Sequence, residues 1–234
     1  MIHQTWLFKI ILTALICTIP VFGQKSTYTY IGTHNNYPIT VTYIFEEKKS
    51  ERHIYSIIDT EKISEKNKTI LKNNTLVYME QFSENDIDGE HFHWTIKKEN
   101  KAYHITYKNT QYNEFFTTKL REYQNPMSLQ ALVYTLRHQN ITIGNNVKAN
   151  LITPWKTLLP IRFIVHEKTH LDLYNTTIPA YKINFEIDLF FGQFLPKSSL
   201  WITHKKPHVL LKQSGLNKEY TISEASLKSM LKNF

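Results

Sequence analysis

From Thr27 onward, apolar and polar residues alternate along most of the chain. Ile39, Val41, Tyr43 and Phe45 fall on one face of an extended segment, with Thr40 and Thr42 on the other. That period of two is what a half-buried strand requires. Leu76, Tyr78 and Glu80 alternate with Val77 and Met79 in the same way. Segments at His91 to Lys97, Ala102 to Lys108 and Glu114 to Leu120 follow, separated by Asp88-Gly89, Glu99-Asn100 and Asn109. Short turns of this kind join neighbouring strands into an antiparallel meander. Strands resume with Val147 to Thr153, Ile161 to His166, Ile178 to Asp188, Phe194 to Thr203 and Val209 to Lys212.

The period changes twice. Between Asn125-Pro126 and Gly144, Leu129, Leu132, Val133 and Leu136 recur at helical spacing, with Ser128 or Asn125 placed to cap the start. This predicts one helix near residues 126–138. At the end of the chain, Thr221 and Glu224 have capping-box spacing, and Leu227, Met230, Leu231 and Phe234 share one stripe. The stripe predicts an amphipathic helix over 221–234 that docks on the sheet edge. No internal repeat or linker-like tract divides the chain, so residues 24–220 read as one β domain. A dozen strands with one buried face must cover that face. The expected fold is mainly β (α+β): a large antiparallel sheet curled into an incomplete barrel around one helix, plus a C-terminal helix.

The first 23 residues add a compartment. Met1 to Lys9 is a short basic start, Ile10 to Ile19 an apolar run, and Val21-Phe22-Gly23 a stretch ending in a small residue before Gln24. The pattern is that of a secretory signal. The apolar run falls short of the roughly 18 residues that span a bilayer. The expected localisation is therefore export to the periplasm or outer-membrane periphery, with release outside the cell as the alternative. The single cysteine, Cys17, lies within this segment, and the large branched Ile16 before it argues against lipid attachment there. A fold without disulfides is expected, and a chain of this length buries enough core to dispense with them. The formal net charge is +8, spread over pairs such as Lys48-Lys49 and Lys205-Lys206 rather than gathered into a stripe. That distribution suits solvated loops and peripheral contact with an anionic membrane surface. It gives no reason to expect nucleic acid as a partner, and it leaves the oligomeric state open.

His166-Glu167-Lys168-Thr169-His170 matches the zinc-peptidase pattern H-E-x-x-H. The chemistry needs a helix, where residues four apart share a face and both imidazoles reach one metal. Pro160 followed by alternating Ile161, Phe163 and Val165, and the turn-like Asn175-Thr176-Thr177 after it, predict strands instead. The motif reads as the tip of a hairpin, with His166 and His170 on different strands. The third histidine and glycine of the extended pattern are absent: positions 176 and 173 are Thr and Leu. His166 and His170 thus remain only the weakest of metal candidates, and no cofactor is expected. His91, His93 and His104 form a second arrangement worth checking, on facing strands.

Pro126-Met127-Ser128-Leu129, Leu136-Arg137 and Gly144, then Ile178-Pro179-Ala180-Tyr181-Lys182, then Trp201-Ile202-Thr203 and Pro207-His208-Val209, follow one another in an order that resembles an exported bacterial family of unknown function. Its pattern is a serine–helix–arginine segment, a proline–alanine hairpin and a closing tryptophan strand pair. The chain departs from it at His204-Lys205-Lys206, where an acidic residue is usual, and at Tyr181, where a glycine is. The resemblance implies a half-open antiparallel barrel similar to the LolA/LolB lipoprotein carriers. On this reading the protein binds a lipid, lipoprotein or other hydrophobic ligand without catalysis, with Phe45, Tyr78, Trp94 and Phe163 lining the interior. The alternatives are an envelope interaction module with a filled interior, and a zinc hydrolase built on His166 to His170.

Overall fold

The computed structural model describes residues 24–122, 125–153, 158–189, 198–215 and 218–232. The expected export signal with Cys17, the strand start at Phe194 and the last stripe residue Phe234 lie outside them. Eight strands come first: β1 (Lys25–His34), β2 (Tyr37–Lys48), β3 (Glu51–Asp59), β4 (Ile63–Lys72), β5 (Thr75–Asn85), β6 (Glu90–Glu99), β7 (Ala102–Asn109) and β8 (Glu114–Arg121). The short β9 (Pro126–Met127) leads into helix α1 (Leu129–His138). Then follow β10 (Asn146–Ile152), β11 (Leu158–Leu173), β12 (Thr176–Ile187), β13 (Ser198–Thr203), β14 (Leu210–Gly215), β15 (Lys218–Ile222) and helix α2 (Glu224–Lys232).

Several hairpins turn on asparagine. Asn35-Asn36 and Asn73-Asn74 hold φ of 48° and 65°, and 49° and 61°. Two left-handed residues match the twist of the strands they join, and asparagine enters that region at little cost. The strands form one sheet in the order β8-β7-β6-β5-β4-β3-β2-β1-β15-β14-β13-β12-β11-β10-β9. Each of its pairings is antiparallel except β9 with β10. First and last strands therefore meet in the middle of the sheet, from Tyr30 opposite Ile222 to His34 opposite Lys218. Gly32 makes this seam possible. A Cβ there would lie 1.9 Å from the Glu219 carbonyl oxygen and 2.5 Å from the Tyr220 Cα. The two edges, β8 and β9, do not pair with each other, so the sheet is curled and barrel-like but not closed.

Helix α1 packs against β3 and β4 and buries Ala131, Leu132, Tyr134 and Leu136. Ser128 caps it, accepting from the Ala131 N–H at 3.1 Å, and the same hydroxyl meets Thr69 Oγ1 of β4 at 3.1 Å. At the other end, the Arg137 guanidinium lies 4.8 Å from the Phe45 ring centroid and 5.3 Å from that of Tyr28. The serine and arginine of the mid-chain segment thus pin the two ends of the helix to the sheet.

The closing helix departs from expectation. Its cap is Ser223, whose hydroxyl accepts from the Ser226 N–H, and it is tied to β1 by Ser223 N–H to Thr29 C=O at 2.7 Å and Thr29 N–H to Ser226 Oγ at 2.8 Å. Because β1 is interior to the strand order, α2 covers the middle of the sheet and not its edge. Leu227 and Met230 are buried as the stripe predicts, while Leu231 is exposed.

Candidate functional site: a cavity on the inner face of the sheet

Strand pairing places six side chains in one row across the inner face: Tyr107, Trp94, Gln81, Asn67, Ser56 and Tyr43, each opposite the next. Adjacent to it runs a second row, Phe92, Ser83, Glu65 and Ile58. Between these rows, the start of α1 at Ser128 and β10 lies a cavity of about 460 Å³. Its walls are of two kinds. Trp94, Phe92, Tyr107 and Tyr43 supply aromatic surface, while Asn67, Gln81, Ser56, Glu65, Glu90 and Gln213 supply polar groups.

Gln81, Gln213 and Glu65 are held. Trp94 donates its indole N–H to Gln81 Oε1 at 2.9 Å. Tyr220 donates to Gln213 Oε1 at 2.6 Å, and its hydroxyl lies 3.2 Å from that of Tyr43. Burial raises both phenol pKa values, which keeps the two hydroxyls protonated. Glu65, 7 % exposed, accepts from Lys218 Nζ at 3.2 and 3.3 Å and from Asn85 Nδ2 at 3.4 Å. Asn85 also donates to Asp88, which engages the buried His34 and the exposed Asn35. This chain of bonds ties β1 and β15 to the β5–β6 turn.

Two acceptors are not held. Asn67 is 6 % exposed and its Oδ1 has no partner. Glu90, half-buried, has neither an ion pair nor a side-chain hydrogen bond among the described residues; burial, then Asp88 and Glu65, push its carboxyl above the usual range.

The four aromatics expected to line the interior are not brought together. Trp94 lines the cavity. Phe45 instead lines a narrow cleft with Arg137 and Leu136 on the far side of α1. Phe163 is fully buried against Phe185, with ring centroids 5.3 Å apart. Tyr78 is a correction: a bulge between Ile70 and Leu71 in the β4–β5 pairing turns Leu76 and Met79 inward and Tyr78 outward. There the Tyr78 hydroxyl donates to Glu80 at 2.9 Å, and its pKa is pushed up to about 12 by burial and that bond.

The H-E-x-x-H segment is also placed differently. β11 runs unbroken from Leu158 to Leu173, and the turn falls at Tyr174-Asn175. His166 and His170 therefore share one strand instead of flanking a hairpin tip. Four residues of extended chain separate them by about 13 Å, too far for one metal ion. Both are exposed, and Glu167 pairs with Lys182 at 3.6 Å. His104 lies opposite Lys97, not opposite His93, and His93 meets Glu80 at 3.0 Å. Among the described residues, no group of three or more His, Asp or Glu is placed to hold a metal.

No protein-family model matches the chain, and no curated protein does. A solved structure does: a beta-barrel-like protein of the domain of unknown function DUF1849 from Brucella abortus. It superposes with a TM-score of 0.51 over 88 % of this chain and 98 % of that one, at 6 % identity. The fold is beta-barrel-like. At that identity the likeness concerns architecture alone, and it supports the expectation of an uncharacterised half-barrel.

Sequence reasoning did not find Glu65, Asn67 or Glu90. In Ser64-Glu65-Lys66-Asn67-Lys68-Thr69 both faces are polar, so no hydrophobic alternation marks the inward side. Only the register against Ser56 and Gln81 identifies it.

Proposed function

We propose that the protein is an exported, non-enzymatic envelope protein that holds a small amphipathic ligand, a lipid or lipoprotein group among the candidates, between the inner face of its sheet and the start of α1. The half-open cavity of about 460 Å³ carries this reading, because a concave space that joins aromatic walls to a few polar groups is the kind of place where small ligands bind. Aromatic walls suit the apolar part of a ligand. A purely hydrocarbon occupant is disfavoured, since each polar group it left without water or a partner would cost about 1–3 kcal/mol. The diffuse positive charge and the N-terminal pattern support residence near anionic envelope surfaces.

Native mass spectrometry of the protein purified from its own envelope, without chelator, tests the proposal. The expected result is a chain beginning at Gln24 with one small bound mass, lost on Ser56→Phe, which fills the cavity wall, while circular dichroism remains unchanged. A bare polypeptide for the unaltered protein would overturn it. One observation favours an interaction module instead: at the free edge of the sheet, Tyr112 and Phe115 are 68 % and 66 % exposed. In that case Phe115→Lys would abolish capture of a partner and leave the bound mass as it was.

A further inference from the structure

Along the sequence the positive charge is scattered, but strand pairing gathers part of it. β6, β7 and β8 form one end of the sheet. Trp94, Ile96 and Ile105 are buried on their inner side, so the alternate residues make up an outer face. On that face Lys97 lies opposite His104, and His104 opposite Lys119. Arg121, two residues beyond Lys119, is exposed on the same side. Lys108 lies opposite Phe115, four residues before Lys119 and hence about 13 Å of extended strand away. Between these two rows runs a third made only of threonine, Thr95, Thr106 and Thr117. Its short side chains leave the face level.

Two properties set this face apart from ordinary solvated surface. First, Lys97, Lys108 and Lys119 are exposed and make no ion pair or ring contact, whereas Lys98, on the other face of β6, pairs with Glu122. Lys97 and Lys119 stand two strands apart, about 10 Å, with only His104 between them. The acids nearby lie at the margins: Glu99 reaches His104 at 4.0 Å, and Glu80 of β5 holds His93 at 3.0 Å. Second, the cations have aromatic company. Phe115, opposite Lys108, is 66 % exposed, and Tyr112 in the adjoining turn is 68 % exposed. We infer that the outer face of β6–β8 docks on an anionic lipid bilayer, with Lys97, Lys108, Lys119 and Arg121 at the headgroup phosphates and Phe115 and Tyr112 at the boundary with the acyl chains. Lysines alone would serve a soluble polyanion equally well. Exposed rings beside them favour the bilayer, where the apolar body of each ring finds an apolar layer. The inference rests on the envelope residence read above and names the surface that achieves it, and it does not depend on the cavity.

Co-sedimentation of the protein, purified from its own envelope, with mixed phosphatidylglycerol–phosphatidylcholine vesicles tests the inference. Because the whole chain carries +8, the decisive comparison is between two double variants of equal charge change. Lys97→Glu with Lys119→Glu is expected to weaken binding about tenfold or more, since each lysine near an anionic leaflet contributes about fivefold. Lys148→Glu with Lys228→Glu, at lysines paired with Asp188 and Glu224, is expected to weaken it far less. Phe115→Ser should also loosen the complex, and vesicles of phosphatidylcholine alone should bind little. Should a variant unfold, the unaltered protein still answers: a spin-labelled lipid broadens the Thr117 and Lys119 amide resonances more than that of Lys148. Equal losses in the two double variants, or no preferential broadening, would overturn the docking face. So would binding to soluble polyglutamate but not to vesicles, which would point to an acidic protein instead. A protein that keeps a bound mass in native mass spectrometry yet ignores the vesicles would overturn the docking face and leave the ligand-binding reading intact.

Discussion

At the scale of single residues, the protonation of Glu90 bears on stability. Burial raises its pKa in the folded chain, Asp88 and Glu65 raise it further, and Lys218 and His34 pull the other way. A carboxyl raised in this way binds its proton more tightly folded than unfolded. Its stabilising contribution is complete below the ordinary carboxylate value and is lost as pH rises through the folded one. Glu90→Gln is therefore expected to be more stable than the parent in urea at pH 7, with the gain gone at pH 3.5. Arg137 is a different case. It is only 8 % exposed, and its flat cation lies against the rings of Tyr28 and Phe45. Arg137→Ala should lower the unfolding free energy by about 2–3 kcal/mol through lost packing as well as charge. Lysine should recover little, because its ammonium cannot stack as a plane. Neither residue's role was legible in the sequence. An arginine 109 residues from Tyr28 in sequence looks solvated until β1 and β2 are brought beside the helix.

At the scale of elements, much more could be read. The α1 helix was legible because Leu129, Leu132, Val133 and Leu136 keep a 3.6-residue period and Ser128 is a good cap. Ser128→Ala is expected to cost about 1–2 kcal/mol in chemical denaturation, since it removes both the cap and the bond to Thr69. Strand segments were legible from alternation, but their ends and faces were less so. A bulge is one extra residue that carries no sequence mark of its own. The bulge in β4–β5 reverses the side on which Tyr78 appears. The irregularity between Val165 and Glu167 lets β11 continue through a polar stretch that reads as a turn. In that stretch His166, Glu167 and Lys168 are exposed in succession, which interrupts the alternation.

At the scale of the whole molecule, the curled architecture followed from the number of strands and their single buried face. The β1–β15 pairing did not, because partners nearly two hundred residues apart leave no local signal. Gly32 is its one visible requirement. Gly32→Ala drives a Cβ into the backbone of Glu219 and Tyr220, and the expected loss is about 3 kcal/mol or more in thermal or chemical unfolding. A difference below about 1 kcal/mol would mean that the seam yields easily. The same seam makes the order of strands independent of where the polypeptide is cut. In space the sheet reads from β9 through β15, across to β1, and on to β8, and from β10 onward it is an up-and-down antiparallel ribbon whose natural starting point is mid-chain. A circular permutant that opens between Glu122 and Asn125 and joins Lys232 to Gln24 through a flexible linker would follow that ribbon from one edge to the other. It is expected to reach the parent's circular dichroism spectrum. It should also refold faster, since the seam would then close between strands that are neighbours along the chain.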